Sequence, residues 1–383
     1  MLNRTRARRT LKAGRAGAFA LIAATLLCDA AAADPTPGEV RLNQIQVIGT
    51  HNSYHAGLTP AVGALLQKKN PRAFDDLDYA HPALATQLDH GVRQIELDIY
   101  ADTKGGRFAH PFGAAMAGSA APPFDPEGVM QRPGFKVMHL QDIDYVSNCQ
   151  PFVRCLAEVR DWSRAHPGHE PLFILVETKT QPPIPGVPMV APEPFTEAVL
   201  DALDAEILSV FPRGELIVPD DVRRSSPTLR DAVQHGGWPA LSAARGKVVF
   251  LLDQTNVTAT YTASHPSLRG RILFTNADPA APDAAFVERN DGPPAEIAEL
   301  VRQGFLVRTR ADADTHEGRS GDTARRDAAL ASGAQIVSTD YPAAEPARWT
   351  GYQVALPGGG ALRCNPVNGP ASCAAPPPKP PGG

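Results

Sequence analysis

The sequence predicts one α/β domain of the (β/α)8 TIM-like barrel class, and three observations predict it. Eight short apolar runs recur along the chain, most of them separated by segments with helical spacing. Most runs are rich in β-branched or aromatic residues and largely apolar along their length, the pattern of parallel strands buried on both faces. Six of the eight end, on their C-terminal side, in charged or hydrogen-bonding residues, and barrel active sites are built at that end. Strand count alone also allows an open doubly wound sheet. The one-ended loading of buried strands with charge favours the barrel, because an unpaired buried charge is costly.

In chain order, Ile45–Asn52 ends in His51 and Asn52, and Gln94–Tyr100 carries Glu96 and Asp98. Phe135–His139 ends in His139, and Leu172–Lys179 ends in Glu177 and Lys179. Lys247–Asp253 and Ile272–Ala277 follow; Phe305–Asp312 carries Arg308 and Arg310, and Gln335–Tyr341 carries Asp340. Helical spacing predicts helices over Cys155–His166, Pro194–Phe211, Pro294–Gln303 and Asp322–Gly333. The glycine- and proline-rich stretch Asp102–Gly134 is expected as a long loop, either a lid or membrane-facing segment or an ordinary surface insertion.

The two ends stand outside this pattern. Residues 1–33 are expected to be a signal peptide. Arg4, Arg6, Arg8, Arg9, Lys12 and Arg15 form a cationic start, Ala16–Leu27 an apolar stretch too short for a permanent anchor, and Ala31, Ala32 and Ala33 a cut site before Asp34. Arg8-Arg9 leaves both general and twin-arginine export open. Export to a periplasmic or extracellular location is the expectation. The barrel domain is expected over residues 34–373, and the Pro/Gly-rich residues 374–383 are expected to be disordered.

Of 37 Lys+Arg and 41 Asp+Glu, the leader holds six and one, so the rest of the chain has 31 basic and 40 acidic residues and a formal charge of −9. That balance argues against a nucleic-acid partner and against broad adsorption to anionic lipid. Four cysteines lie beyond the leader. Pairing by proximity gives Cys149–Cys155 and Cys364–Cys373, one of three connectivities, both closing short loops.

The strand ends carry the chemistry. Glu96 and Asp98 stand at i and i+2, so both carboxylates project from one face, as do Glu177 with Lys179 and Arg308 with Arg310. Carboxylates forced together repel unless a cation sits between them. Oxygen donors without cysteine point to a hard ion, calcium or magnesium. An internal salt-bridge network with Lys179, Arg308 and Arg310 is the alternative. His51 and His55 have the spacing of a helical zinc pair, but His51 ends a strand, so zinc is not expected. His81 has no nameable partner in the sequence.

Gly49-Thr50-His51-Asn52-Ser53-Tyr54, Glu96-Leu97-Asp98, a strand ending in His139, and Glu177-x-Lys179, in this order at successive strand ends, resemble the catalytic core of phosphatidylinositol-specific phospholipase C. The resemblance is to the calcium-dependent bacterial branch. Gly91–Glu96, Phe135–His139, Phe305–Arg310 and Ser338–Pro342 support it, and it covers most of residues 43–350. It implies an exported phosphodiesterase in which Asn52, Glu96, Asp98 and Glu177 ligate one Ca2+, with Mg2+ the less favoured ion. His51 and His139 flank the scissile phosphate, and Lys179 and one of Arg308 and Arg310 contact phosphate or inositol. The implied reaction is attack of the inositol 2-hydroxyl on phosphorus, giving diacylglycerol and a cyclic inositol phosphate from phosphatidylinositol at a transiently contacted membrane surface.

His110, in the long loop, is the alternative second histidine. His139 is preferred because it ends an apolar run and is followed by Asp142. Two other functions compete. A glycerophosphodiester phosphodiesterase usually shows His-Arg-Gly at the first strand, where this chain has His51-Asn52-Ser53. A non-catalytic, calcium-dependent lipid or glycan binder should have lost a histidine or a ligand, and none is missing.

Overall fold

The computed structural model describes residues 39–118 and 123–373. The expected signal peptide and the Pro/Gly tail lie outside the described residues. Within them the chain forms β1 (Ile45–Thr50), β2 (Gln94–Tyr100), β3 (Lys136–Val137), β4 (Leu172–Thr178), β5 (Leu216–Ile217), β6 (Val248–Leu252), β7 (Leu273–Thr275), β8 (Phe286–Glu288), β9 (Leu306–Arg310), β10 (Ile336–Thr339) and β11 (Leu362–Cys364).

Eight of these strands are parallel and close a ring in the order β1, β2, β4, β6, β7, β8, β9, β10 and back to β1. The seam between β7 and β8 is a parallel bridge between Asn276 and Phe286, with Ala277 N donating to Phe286 O at 3.2 Å. The fold is the expected barrel. Its strands are buried along almost their whole length, which is why they read as unbroken apolar runs. Gly49 on β1 lies in register with Gln94, and a Cβ there would overlap the Gln94 side chain. Only glycine lets β1 and β2 approach at that point.

Helices cover the outside. Phe152–Ala165 buries Phe152, Cys155, Leu156, Val159 and Trp162, the i, i+3, i+4, i+7 stripe of a helix laid on a sheet. Glu197–Val210 starts where the Thr196 side chain accepts from Val199 N, and Ala324–Ser332 stops at Gly333 with φ 81°.

Two strand expectations need correction. Phe135–His139 is not a barrel strand; only Lys136–Val137 is extended, and it runs antiparallel on the end of β2 (Ile99 with Val137). The eighth barrel strand is β8, three residues long, which the sequence reading did not single out. Both expected disulfides form, with Cα–Cα distances of 5.2 Å for Cys149–Cys155 and 5.8 Å for Cys364–Cys373. The second starts from the last residue of β11, which pairs antiparallel with β1.

The described part of Asp102–Gly134 contains the helix Phe112–Ala117 and contributes to an apolar cluster separate from the main core. Val62, Tyr100, Phe108, Met130, Met138 and Tyr145 form its buried part, and Phe112, Phe124, Val187 and Met189 cover it. No helix among the described residues is long and apolar enough to cross a membrane.

Candidate active site

Register assembles the acidic cluster. On the paired β2 and β4, Asp98 faces Glu177 directly, and Glu96 lies two residues back on the same face. One carboxylate oxygen of each of Glu96, Asp98 and Glu177 lies within 4.8 Å of the others. Asp98 is fully buried, and its Oδ1 has no hydrogen-bond partner. Burial and the neighbouring Glu177 charge push Asp98 up to about 8; burial pushes Glu96 up to about 7 against the pull of Arg308. A set of oxygen donors, crowded, under-satisfied and reluctant to ionise together, fits a hard divalent cation.

Cationic side chains hold the rim of the cluster. Lys179 Nζ lies 2.8 Å from Asp98 Oδ2 and 3.0 Å from Glu177 Oε1. Arg308 donates to Glu96 Oε2 at 2.6 Å, to Ser338 Oγ at 3.2 Å and to Asn290 Oδ1 at 2.8 Å. Asn52, at φ 47°, follows the end of β1, its amide nitrogen donating to Tyr79 OH at 2.8 Å. Its Oδ1, the atom a cation would take, accepts from Tyr54 OH at 3.3 Å. Burial, then the Asp98 charge, raises Tyr54 well above the usual tyrosine value, so this hydroxyl stays protonated beside the carboxylates.

Each of the two candidate histidines, His51 and His139, is backed by a buried carboxylate. His51 Nδ1 lies 2.7 Å from Asp340 Oδ1, while Arg310 approaches His51 Nε2 at 3.2 Å and Asp340 Oδ2 at 3.2 Å. Burial and the Arg310 charge hold His51 down at about 3, so its imidazole is neutral, with the proton on Nδ1 donated to Asp340 and Nε2 facing Arg310. Asp340 remains an anion in spite of its burial, because His51 and Arg310 face it; its own backbone N–H donates to Asp312 Oδ1 at 2.9 Å. His139 Nδ1 lies 2.9 Å from Asp144 Oδ2.

Residues 40–366 match the family described as phosphoinositide phospholipase C, Ca2+-dependent. The chain belongs to this family. It is therefore a phosphodiesterase of the phospholipase C type. Among solved structures, the fold is similar to that of the calcium-dependent phosphoinositol-specific phospholipase C of a Pseudomonas species: 16% identity over 87% of this chain and 98% of that one, TM-score 0.52. The calcium-dependent phosphatidylinositol-specific phospholipase C of Streptomyces antibioticus matches at 19% identity over 78% of this chain and 94% of that one, TM-score 0.48. No curated protein matches the chain in sequence.

In this phospholipase C, the strand-end residues singled out by the sequence gather at one mouth. Glu96, Asp98 and Glu177 form one cluster, Lys179 and Arg308 are tied to it, and Arg310 joins His51. His110 does not join them; it is exposed and lines a surface pocket with Pro111, Phe124 and Gln131. His139 is joined not to Asp142 but to Asp144. Asp142, at φ 69°, accepts instead from Phe112 N and Val190 N and pins the long loop.

Several site residues have no local signature. Asp340 is 289 positions from His51, and its pairing is visible only once β1 and β10 are neighbours. His81 Nε2 donates to His51 O at 3.0 Å and its Nδ1 lies 2.6 Å from Glu345 Oε2, bracing the first histidine through its backbone. Glu288 ends the undetected β8 in register with Arg308, and burial with the Asp253 charge raises it far above the usual range.

Proposed function

We propose that the chain is an exported enzyme that cleaves phosphatidylinositol to diacylglycerol and cyclic inositol phosphate, with Ca2+ held by Asn52, Glu96, Asp98 and Glu177. The observation that carries this reading is the convergence of Glu96, Asp98 and Glu177 within 4.8 Å, with Asp98 Oδ1 buried and unpartnered. When bound, the ion lowers the pKa of the attacking hydroxyl and offsets charge on the phosphoryl oxygens.

The protein's own groups handle the protons. Asp340 fixes His51 with its proton on Nδ1, so Nε2 is the lone pair available to take the proton of the inositol 2-hydroxyl once Arg310 turns to phosphate. The hydroxyl oxygen then bonds to phosphorus, and the bond from phosphorus to the glycerol oxygen breaks. His139, hydrogen-bonded through Nδ1 to Asp144, gives its Nε2 proton to that departing oxygen. Lys179, Arg308 and Arg310 already pair with carboxylates at the mouth, and a phosphate brought there draws on the same donors.

Two short-loop disulfides and the leader residues 1–33 support export. Phosphorus NMR of phosphatidylinositol vesicles treated with enzyme and calcium tests the reaction: a cyclic phosphodiester signal should appear first. A monoester formed with no cyclic precursor would contradict the proton assignments.

A further inference from the structure

The carboxylate of Asp144 serves two imidazoles. His139 Nδ1 lies 2.9 Å from Oδ2, while His55 Nε2 lies 3.0 Å from Oδ1 and 2.9 Å from Oδ2. The Asp144 and His55 side chains are 0% exposed, against 27% for His139. His55 is therefore out of reach of any substrate and can act on the reaction only through Asp144.

An ionised carboxylate only accepts hydrogen bonds, so both ring nitrogens facing it carry protons. That leaves Nε2 as the open nitrogen of His139. A carboxylate bonded to one imidazole alone can rotate about its terminal torsion, whose wells are broad. The second imidazole, His55, contacts both oxygens from a fully buried position and anchors the carboxylate group where it meets His139. His55 is itself clamped: its N donates to Asn52 O and its O accepts from His81 N, both at 2.8 Å, and its ring packs on Tyr79 with centroids 4.6 Å apart. Segment 51–55 thus supplies His51 and also the residue that fixes the partner of the other histidine.

We propose that His55 is a positioning residue: it locks the Asp144 carboxylate so that His139 is held in the tautomer and orientation that present Nε2 to the leaving oxygen. The proposal rests on the assignment of His139 as the acid. A packing role alone predicts that substitutions of His55 act through stability. A positioning role predicts that they act through the bond between Asp144 and His139.

Three variants separate the two. His55→Gln keeps a nitrogen donor near the position of Nε2, His55→Leu removes it at similar volume, and His139→Ala identifies the His139 signal. The readouts are the downfield proton resonance of His139 Nδ1–H, thermal midpoint, and kcat and KM on phosphatidylinositol vesicles with calcium. His55→Leu should lose or shift the resonance and lower kcat about 10²-fold, with KM within about twofold. His55→Gln should keep the resonance and return kcat to within about tenfold of wild type. If His55→Leu fails to fold, His55→Asn, whose amide is too short to reach Asp144, takes its place.

An unchanged resonance and kcat in His55→Leu would overturn the proposal. So would equal losses in the Gln and Leu variants that follow their thermal midpoints. Full turnover by His139→Ala would instead overturn the acid assignment, and the resonance would then decide the positioning claim alone.

Discussion

Lys179 Nζ lies within 3.0 Å of both Asp98 and Glu177, two of the three carboxylates proposed to hold calcium. An ammonium and a divalent cation cannot both take those oxygens at full strength. Lys179→Met should therefore bind calcium about tenfold more tightly, a difference on the order of 1.4 kcal/mol, while turnover falls because a phosphate donor is lost. Isothermal titration with calcium checks it; weaker binding by the variant would mean that Lys179 supports the metal site.

Acid and base should act on that site in a defined direction. Asp98 at about 8 and Glu96 at about 7 bind protons that the unfolded chain has released. Without metal, their contribution to stability therefore falls as pH rises from the ordinary carboxylate range through about 8. Calcium offsets the charge that appears, and its binding releases protons. The rise in thermal midpoint on adding calcium should be larger at pH 8.5 than at pH 5.5. An equal rise at both pH values would count against the two carboxylates as ligands.

The pair of His51 and Asp340 should matter through orientation. Asp340→Asn keeps the shape but makes the side chain a potential donor toward Nδ1, favouring the wrong tautomer. kcat should fall about 10²-fold or more, with KM changed little. Steady-state kinetics on phosphatidylinositol vesicles decides this.

Most of the barrel was legible because parallel strands covered by helices are apolar along their length, and that signal is local. It failed at β8, where three residues suffice because the seam is completed by the Asn276 bridge. It also failed at Phe135–His139, whose apolar run serves an antiparallel flap on β2. The acidic cluster was legible for the same local reason, the two-residue spacing on a strand. The groups that orient the histidines were not. Asp340 meets His51 only through the closure of β1 on β10, and Asp144 reaches His139 through a tight turn in which the nearer Asp142 faces the loop.

The close approach at Gly49 yields a stability prediction. Gly49→Ala places a methyl group against the Gln94 side chain between β1 and β2, and overpacking of this kind costs about 1–3 kcal/mol. A lower urea midpoint at unchanged m-value is the expected result.

Calcium-assisted attack within phosphatidylinositol stands or falls on the release of water-soluble inositol phosphate from phosphatidylinositol vesicles. The assay compares calcium with excess chelator in the wild type, His51→Ala and Glu96→Gln. Release that requires calcium and is lost in both variants is the predicted result. Undiminished release in chelator would contradict the metal assignment, and release by His51→Ala at the wild-type rate would contradict the role given to that histidine.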